Sequence, residues 1–374
     1  MIAQVSENKW EAAQKFGTFY GKEEALAMLE VLKNGAATNS SNVREFEKEF
    51  AQHMGGSYGV AANSWVGAAN LLVIAMDIKA GDEIIIPALT FQASANIFVQ
   101  EGAKIVFADI NPRTFNIDAD KLRDKITSKT KAIVVVHMCG QPADMDPILK
   151  IAKEYNLTVI QDAAHAHGAL YKGRKLGELA DYTIYSFHQG KNMSTLGEGG
   201  MVVTDKKDIV DKMKKLRAHG AGQYLGISSR MTDIQGAVGR VQLKRLDQNN
   251  LKRRELAYHL NKKLACIEGI DIPLEISDVY HVYHIYNIII RQERINMSRD
   301  DFIKRMWLTG RIMAATQYYP TVNCLSAYES IGYGAGICPV AEEVSKNLVS
   351  LPISVNLKIE DMDEMAEIIS KIVY

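Results

Sequence analysis

The sequence carries no excess of charge: Lys plus Arg and Asp plus Glu each number 44 in 374 residues. That balance removes the electrostatic case for nucleic acid or an acidic membrane surface as partner, because both select a basic face. No block of like charges and no appended basic segment of a DNA-binding kind appears. Cysteine is scarce, with Cys139, Cys266, Cys324 and Cys338 only. Their spacing matches no zinc pattern, and four in so long a chain make no disulfide scaffold, so reduced, mostly buried thiols and no metal are expected. No apolar run approaches the ~20 residues that cross a bilayer. The opening MIAQVSENKWEAAQKFG is polar and lacks a signal core, so a soluble cytoplasmic protein is the expectation. Internal repeats and low-complexity segments are also missing.

Hydrophobic residues, in contrast, make up 47% of the chain, ample for a large domain plus a smaller one. KEEALAMLEVLK (22–33) and VREFEKEFAQHM (43–54) read as amphipathic helices, with Gly35 stopping the first. Then come short apolar strands at 58–63, 83–88, 104–110, 131–138, 157–163, 183–187 and 200–205. Helical stretches such as WVGAANLLVIAMDI, FQASANIFVQEG and MDPILKIAKEYN separate them. Continuous β-branched strands alternating with helices predict an α/β fold, a mostly parallel central sheet with helices on both faces. A long helical pattern from about 235 leads into alternating strands and helices, read as a smaller α+β C-terminal domain. The expected division is residues 1–245 and 246–374.

Ligands of such sheets bind at the carboxyl ends of the strands, and the residues suited to chemistry fall there. Lys191 sits just after a strand in SFHQGKNMSTLGEGG, framed by glycines. Alone it would be a solvated surface charge. Asp162 ends another strand, 29 residues earlier, where a carboxylate could equally be a helix N-cap. Together they suit pyridoxal phosphate (PLP). That cofactor needs an amine to hold its aldehyde, an anion beside its pyridine nitrogen, an anion site for its phosphate, and a flat apolar group on its ring. Ser64 and Trp65 begin a helix directly after a strand and offer backbone N–H groups, and Ser186 could add a hydroxyl. Phe91 follows a strand and a proline; ordinary core packing is its alternative.

The order NSW, PALTF, QDAAHAHG, SFHQGKN, GEGG resembles the DegT/DnrJ-type sugar aminotransferases, which have the type I PLP-enzyme fold. Further similar segments, among them EFEKEFAQHMG, SRMTDIQGAVGRVQLKRLD, QYYP and CPVAEE, extend the likeness along nearly the whole chain. The resemblance implies that Lys191 is the Schiff-base residue and proton shuttle and that Asp162 pairs with the pyridine nitrogen. It places His165 near the ring's phenolic oxygen, Phe91 on the ring face and Ser186 at the phosphate. His188, Tyr318 and Tyr319, with the AATNSS loop (36–41), match segments near the substrate. It further implies an amino-acid donor, glutamate, a keto-sugar acceptor carried on a nucleotide, and a homodimer with active sites at the interface.

Two departures stand out. The family commonly reads Gly-Thr in the phosphate turn where this chain has Ser64-Trp65. It often has asparagine, reaching the neighbouring subunit's phosphate, where this chain has Ser228; Arg230 nearby is retained. A related class, the sugar 3-dehydratases, has histidine at the position of Lys191, so the lysine favours transamination. A PLP-fold regulator and a cyclitol or other cyclic-ketone substrate are the remaining alternatives.

Overall fold

A computed structural model describes residues 8–35 and 38–374. Among the described residues, three helices come first: α1 (Lys9–Lys15), α2 (Lys22–Lys33) and α3 (Ser41–His53). The α/β part follows as β1 (Tyr58–Ala62), α4 (Trp65–Ala75), β2 (Glu83–Pro87), α5 (Ala93–Gln100), β3 (Lys104–Ala108), β4 (Thr130–Val136), α6 (Met145–Glu154) and β5 (Thr158–Asp162). Two short strands come next, β6 (Leu170–Tyr171) and β7 (Arg174–Lys175), then β8 (Tyr182–Ser186), β9 (Gly200–Thr204) and α7 (Lys207–Leu216). Helix α2 matches the expected span, and the main strands match within a residue or two.

Seven strands form the central sheet in the order β1-β9-β8-β5-β4-β2-β3. Pairings of β2, β3, β4, β5 and β8 are parallel, while β9 runs antiparallel to both β8 and β1. Side chains of a strand alternate between faces, and the two faces build two cores. Ile84, Ile86, Val134, Val136, Ile160 and Val202 pack with α4, α5 and α7. Ile85, Ile133, Val135, Val159, Met201 and Val203 pack with α3 and α6. Helix α4 is apolar on nearly every side because it is covered on nearly every side.

Helix α8 (Asp233–Leu264) begins in a capping box of Thr232 and Gln235 and runs 32 residues, about 48 Å at 1.5 Å per residue. It packs on α2 and α3, and then on α13 (Ile359–Val373). The C-terminal part adds β10 (Ile270–Asp271), β11 (Val279–Tyr280), β12 (Tyr286–Ile290), the short α9 (Gln292–Ile295), α10 (Arg299–Gly310), the short α11 (Ser326–Glu329), α12 (Pro339–Asn347) and β13 (Leu348–Leu351). Strands β10, β12 and β13 make one small sheet, and β11 joins β6 and β7 in another. The expected boundary at 245/246 lies inside the unbroken α8. Trp10 and Ala13 of α1 pack into the C-terminal core beside Leu256, Leu260 and Phe302.

All four cysteines are free; Cys139 and Cys338 are buried, Cys324 is half-buried and Cys266 is exposed. Among the described residues no group of side chains could hold a metal, and no helix is long and apolar enough to cross a membrane.

Candidate active site

A cavity of about 560 Å³ opens at the carboxyl ends of β1, β2, β5 and β8. Ser64, Trp65, Phe91, Asp162, His165, Ser186, His188, Lys191 and Tyr318 all line it. The fold thus brings these side chains together from five stretches of sequence. Of the expected residues, Tyr319 lies elsewhere: its ring lies against the Arg299 guanidinium, 4.2 Å away. Ser228 is exposed, accepts from Arg230 Nη2 at 3.4 Å and does not line the cavity of the single chain. Of the 36–41 loop, residues 36 and 37 lie outside the described residues; Asn39 accepts from Arg217 Nη2 at 2.7 Å.

Asp162 is the last residue of β5 and is buried. Its Oδ2 accepts from Ser94 Oγ at 2.7 Å and its Oδ1 from the Ala164 N–H at 3.0 Å. Burial raises its pKa above the ordinary carboxylate value; Ser94, Ala164 and Lys191 pull it partly back. Such a carboxylate gains from a cationic partner. The indole N–H of Trp65 is close enough to favour the charged form but makes no hydrogen bond among the described residues.

Lys191 follows β8, on a loop whose backbone folds back on itself: Phe187 N–H donates to Gly199 and Gln189 N–H to Gly197. Its side chain borders the cavity, and burial lowers the amine to about 8 against the opposing pull of Asp162 and Glu198. Next to it, Asn192 is buried and fully engaged. Its amide donates to Asn250 Oδ1 and the Val282 carbonyl, and its Oδ1 accepts from His284 Nδ1 at 3.1 Å. The ring of His284 lies 4.4 Å from that of His165. Burial holds both imidazoles well below their ordinary pKa, so both are neutral. His165 Nε2 shares a 3.2 Å hydrogen bond with the Tyr318 hydroxyl, and its Nδ1 has no hydrogen-bond partner among the described residues.

The other end of the cavity is the start of α4. Ser64 caps the helix by accepting from the Gly67 N–H at 3.0 Å. That cap leaves the first-turn N–H groups of Trp65 and Val66 beside the cavity, a ready anion site. The Trp65 side chain is largely buried and packs into the core on one face of the sheet, with its indole N–H on the Asp162 side. β9 packs tightly underneath: a Cβ on Gly200 would lie 2.4 Å from the Ser64 carbonyl oxygen. Ser186 ends β8 and accepts from the His188 N–H at 3.3 Å. His188 lies 4.0 Å from Glu198. Phe91 is 53% exposed, with its ring 5.7 Å from that of Tyr318, so it offers a flat apolar face to the cavity.

Several lining residues escaped the sequence reading. Ser94 stands one helical turn after Phe91, a placement that a search for acid partners could have found. Gln317 belongs to the QYYP segment, but His284 and the α1 residues Ala13, Gln14 and Lys15 carry no local motif that ties them to Lys191.

An amine lowered by burial, a buried acid without a fixed cation, an open helix N-terminus and an exposed aromatic face form the donor set that PLP requires. The site defines a PLP-binding enzyme of the type I kind. The chain belongs to the DegT/DnrJ/EryC1/StrS aminotransferase family, whose profile matches residues 19–370. It is 37% identical over 329 residues to GDP-perosamine synthase of Caulobacter vibrioides, covering 86% of this chain and 87% of that protein. It is 33% identical over 364 residues to a dTDP-3-amino-3,6-dideoxy-alpha-D-galactopyranose transaminase of Aneurinibacillus thermoaerophilus, covering 95% and 96%. A Streptococcus pneumoniae structure in its PLP form superposes with a TM-score of 0.89 at 25% identity, covering 96% and 97%. The same protein in its PMP form gives 0.88. The protein is a PLP-dependent aminotransferase.

Proposed function

We propose that this enzyme moves an amino group from an amino acid, glutamate by family resemblance, onto the keto carbon of a nucleotide-linked sugar in amino-sugar biosynthesis. The relatives that act on GDP- and dTDP-linked sugars support the substrate class. The observation that carries the reading is the convergence of Lys191, Asp162 and the α4 N-terminus on one cavity.

In this reading Lys191 Nζ is the amine that would hold the cofactor covalently. When bound, PLP supplies an aldehyde carbon that takes up the amino group and a pyridine ring that withdraws electrons. Asp162 keeps a proton on the pyridine nitrogen, helped by Ser94, which orients one carboxylate oxygen. The α4 N–H groups of Trp65 and Val66, with Ser64 and Ser186, hold the phosphate. With PLP bound, Lys191 Nζ would be the group that carries the proton taken from the donor's α-carbon. In the cofactor-free protein, with the amine lowered to about 8, roughly one Lys191 in ten is neutral at pH 7, against about one in three thousand for an ordinary lysine. Neutral His165 and Tyr318 border the reacting end without adding charge, and Phe91 covers the ring.

A homodimer accompanies this reading. Leu26, Leu29 and Leu32 lie exposed along one stripe of α2, and Leu225 is 98% exposed beside Tyr224. Apolar area of this kind favours a protein partner, and Ser228 lies on that same exposed loop. The test is direct. Purified protein should show a visible-edge absorbance lost on borohydride reduction, with the added mass at Lys191. With glutamate and a panel of nucleotide-linked keto sugars it should release 2-oxoglutarate. A Lys191→Ala protein that forms product at the wild-type rate would sink the proposal.

A further inference from the structure

Gly17 has no conformational need to be glycine, since its φ is not in the left-handed region. Its reason is spatial. A Cβ there would lie 2.0 Å from the Lys191 carbonyl oxygen and 2.4 Å from that of Gly190. Both are backbone atoms, so no side-chain rotation makes room. The contact is also bonded, because the Gly17 N–H donates to the Gln189 carbonyl at 3.0 Å. Residues 16–21 therefore lie as a strap across the loop that carries Lys191.

The strap is fastened on both sides. The Gly17 carbonyl accepts from Arg253 Nη2 at 2.5 Å. Thr18 Oγ1 donates to Gln242 Oε1 at 2.8 Å, and Gln242 Nε2 donates to the Phe19 carbonyl at 2.8 Å. The Tyr20 hydroxyl accepts from the Leu196 N–H at 3.2 Å, at the far end of the same loop. Arg253 is fully buried. Its guanidinium also donates to the carbonyls of Tyr283, His284 and Ile353, and the last two residues line the cavity. One buried cation thus joins the strap to two walls of the site.

We propose that this strap is the positioning device for Lys191: Gly17, held by Arg253, sets how deep the lysine's loop sits and so how far its amine is shielded from water. Gly17 and Arg253 touch no reacting atom and act through the loop backbone. Burial is the largest influence on the amine. The groups that face it are charged Asp162 and Glu198, the neutral imidazoles of His165, His167 and His284, and His188 at the rim. Raising the loop readmits water, and the amine moves back toward an ordinary lysine. The importance of this device rests on Lys191 being the attachment residue, but its test does not.

The cofactor-free protein is labelled with trace acetic anhydride across pH, and acetylation of Lys191 is read by peptide mass spectrometry against the unfolded chain. Wild-type Lys191 should titrate near 8. In Gly17→Ala the midpoint should rise by about one pH unit, cutting labelling at pH 7.5 about eightfold. Tyr20→Phe adds no clash and should move the midpoint less, in the same direction. Ile369→Ala, in the C-terminal core, should lower the melting temperature and leave Lys191 unmoved. A folded Gly17→Ala with an unmoved midpoint overturns the proposal, as does an equal shift in Ile369→Ala. If Gly17→Ala does not fold, an unshifted Tyr20→Phe overturns it. Failure to trap the cofactor at Lys191 would refute the attachment reading and leave this result standing.

Discussion

Replacing Asp162 by asparagine should make the enzyme worse and the cofactor-free fold better. The carboxyl is raised above its ordinary value of 3.8 by burial. A carboxyl that ionises less readily when folded than when unfolded costs stability wherever it is charged. Cofactor-free stability therefore falls as pH rises from 3.8 through the raised folded value, and the deficit persists at neutral pH. Asparagine removes the charge and keeps the shape. Its amide can donate to Ser94 Oγ, which can then donate to Thr90 Oγ1, 3.1 Å away. The melting temperature of cofactor-free Asp162→Asn at pH 7 should exceed that of the wild type, and the gain should vanish near pH 4. In the loaded enzyme the buried anion facing the pyridine nitrogen is lost. Breaking one side of a buried pair costs about 3–5 kcal/mol, or about 150- to 5,000-fold in kcat/KM. Steady-state kinetics and calorimetry on one preparation decide both points. An activity loss under tenfold, or a lower melting temperature for the variant at pH 7, would refute the argument.

The two adjacent tyrosines should behave differently. Tyr318→Phe removes the bond to His165 Nε2 and should lower kcat/KM about tenfold, as befits one hydrogen bond worth about 1–1.5 kcal/mol. Tyr319→Phe keeps a ring against Arg299 and should stay within about twofold of wild type, since a ring face is enough for that contact; equal losses would contradict the placement of the two rings. Uptake of PLP by the cofactor-free protein should quicken with pH and level off above about 8, following release of the Lys191 proton; a rate flat between pH 6.5 and 9 would show that burial does not govern the amine.

Much of the scaffold was legible because its signals are local. Ile84, Ile85 and Ile86 read as a strand buried on both faces, and both faces are covered. The strand-end positions of Asp162 and Ser186 and the helix start at Ser64 could be read from neighbouring residues alone. The direction of β9 could not, because its partners β8 and β1 lie on either side of it only in space. Nor could the separation of Tyr318 from Tyr319, which depends on Arg299 arriving from α10. Ser94 was overlooked although it sits in a readable helix start; its meaning comes from Asp162, 68 residues away.

The sequence by itself determined the chemistry available: a lysine, an acid, a capped helix start and an aromatic, each at the end of a strand, where periodicity and local caps suffice. Only the tertiary structure decided how reactive those groups are. The lowered amine of Lys191 and the raised carboxyl of Asp162 arise from burial by residues remote in the chain. The close contact of Gly17 with the lysine loop, fastened by Arg253, 236 residues away, is equally remote in sequence. Desolvation and steric contact are sums over neighbours in space, and a linear pattern does not name those neighbours.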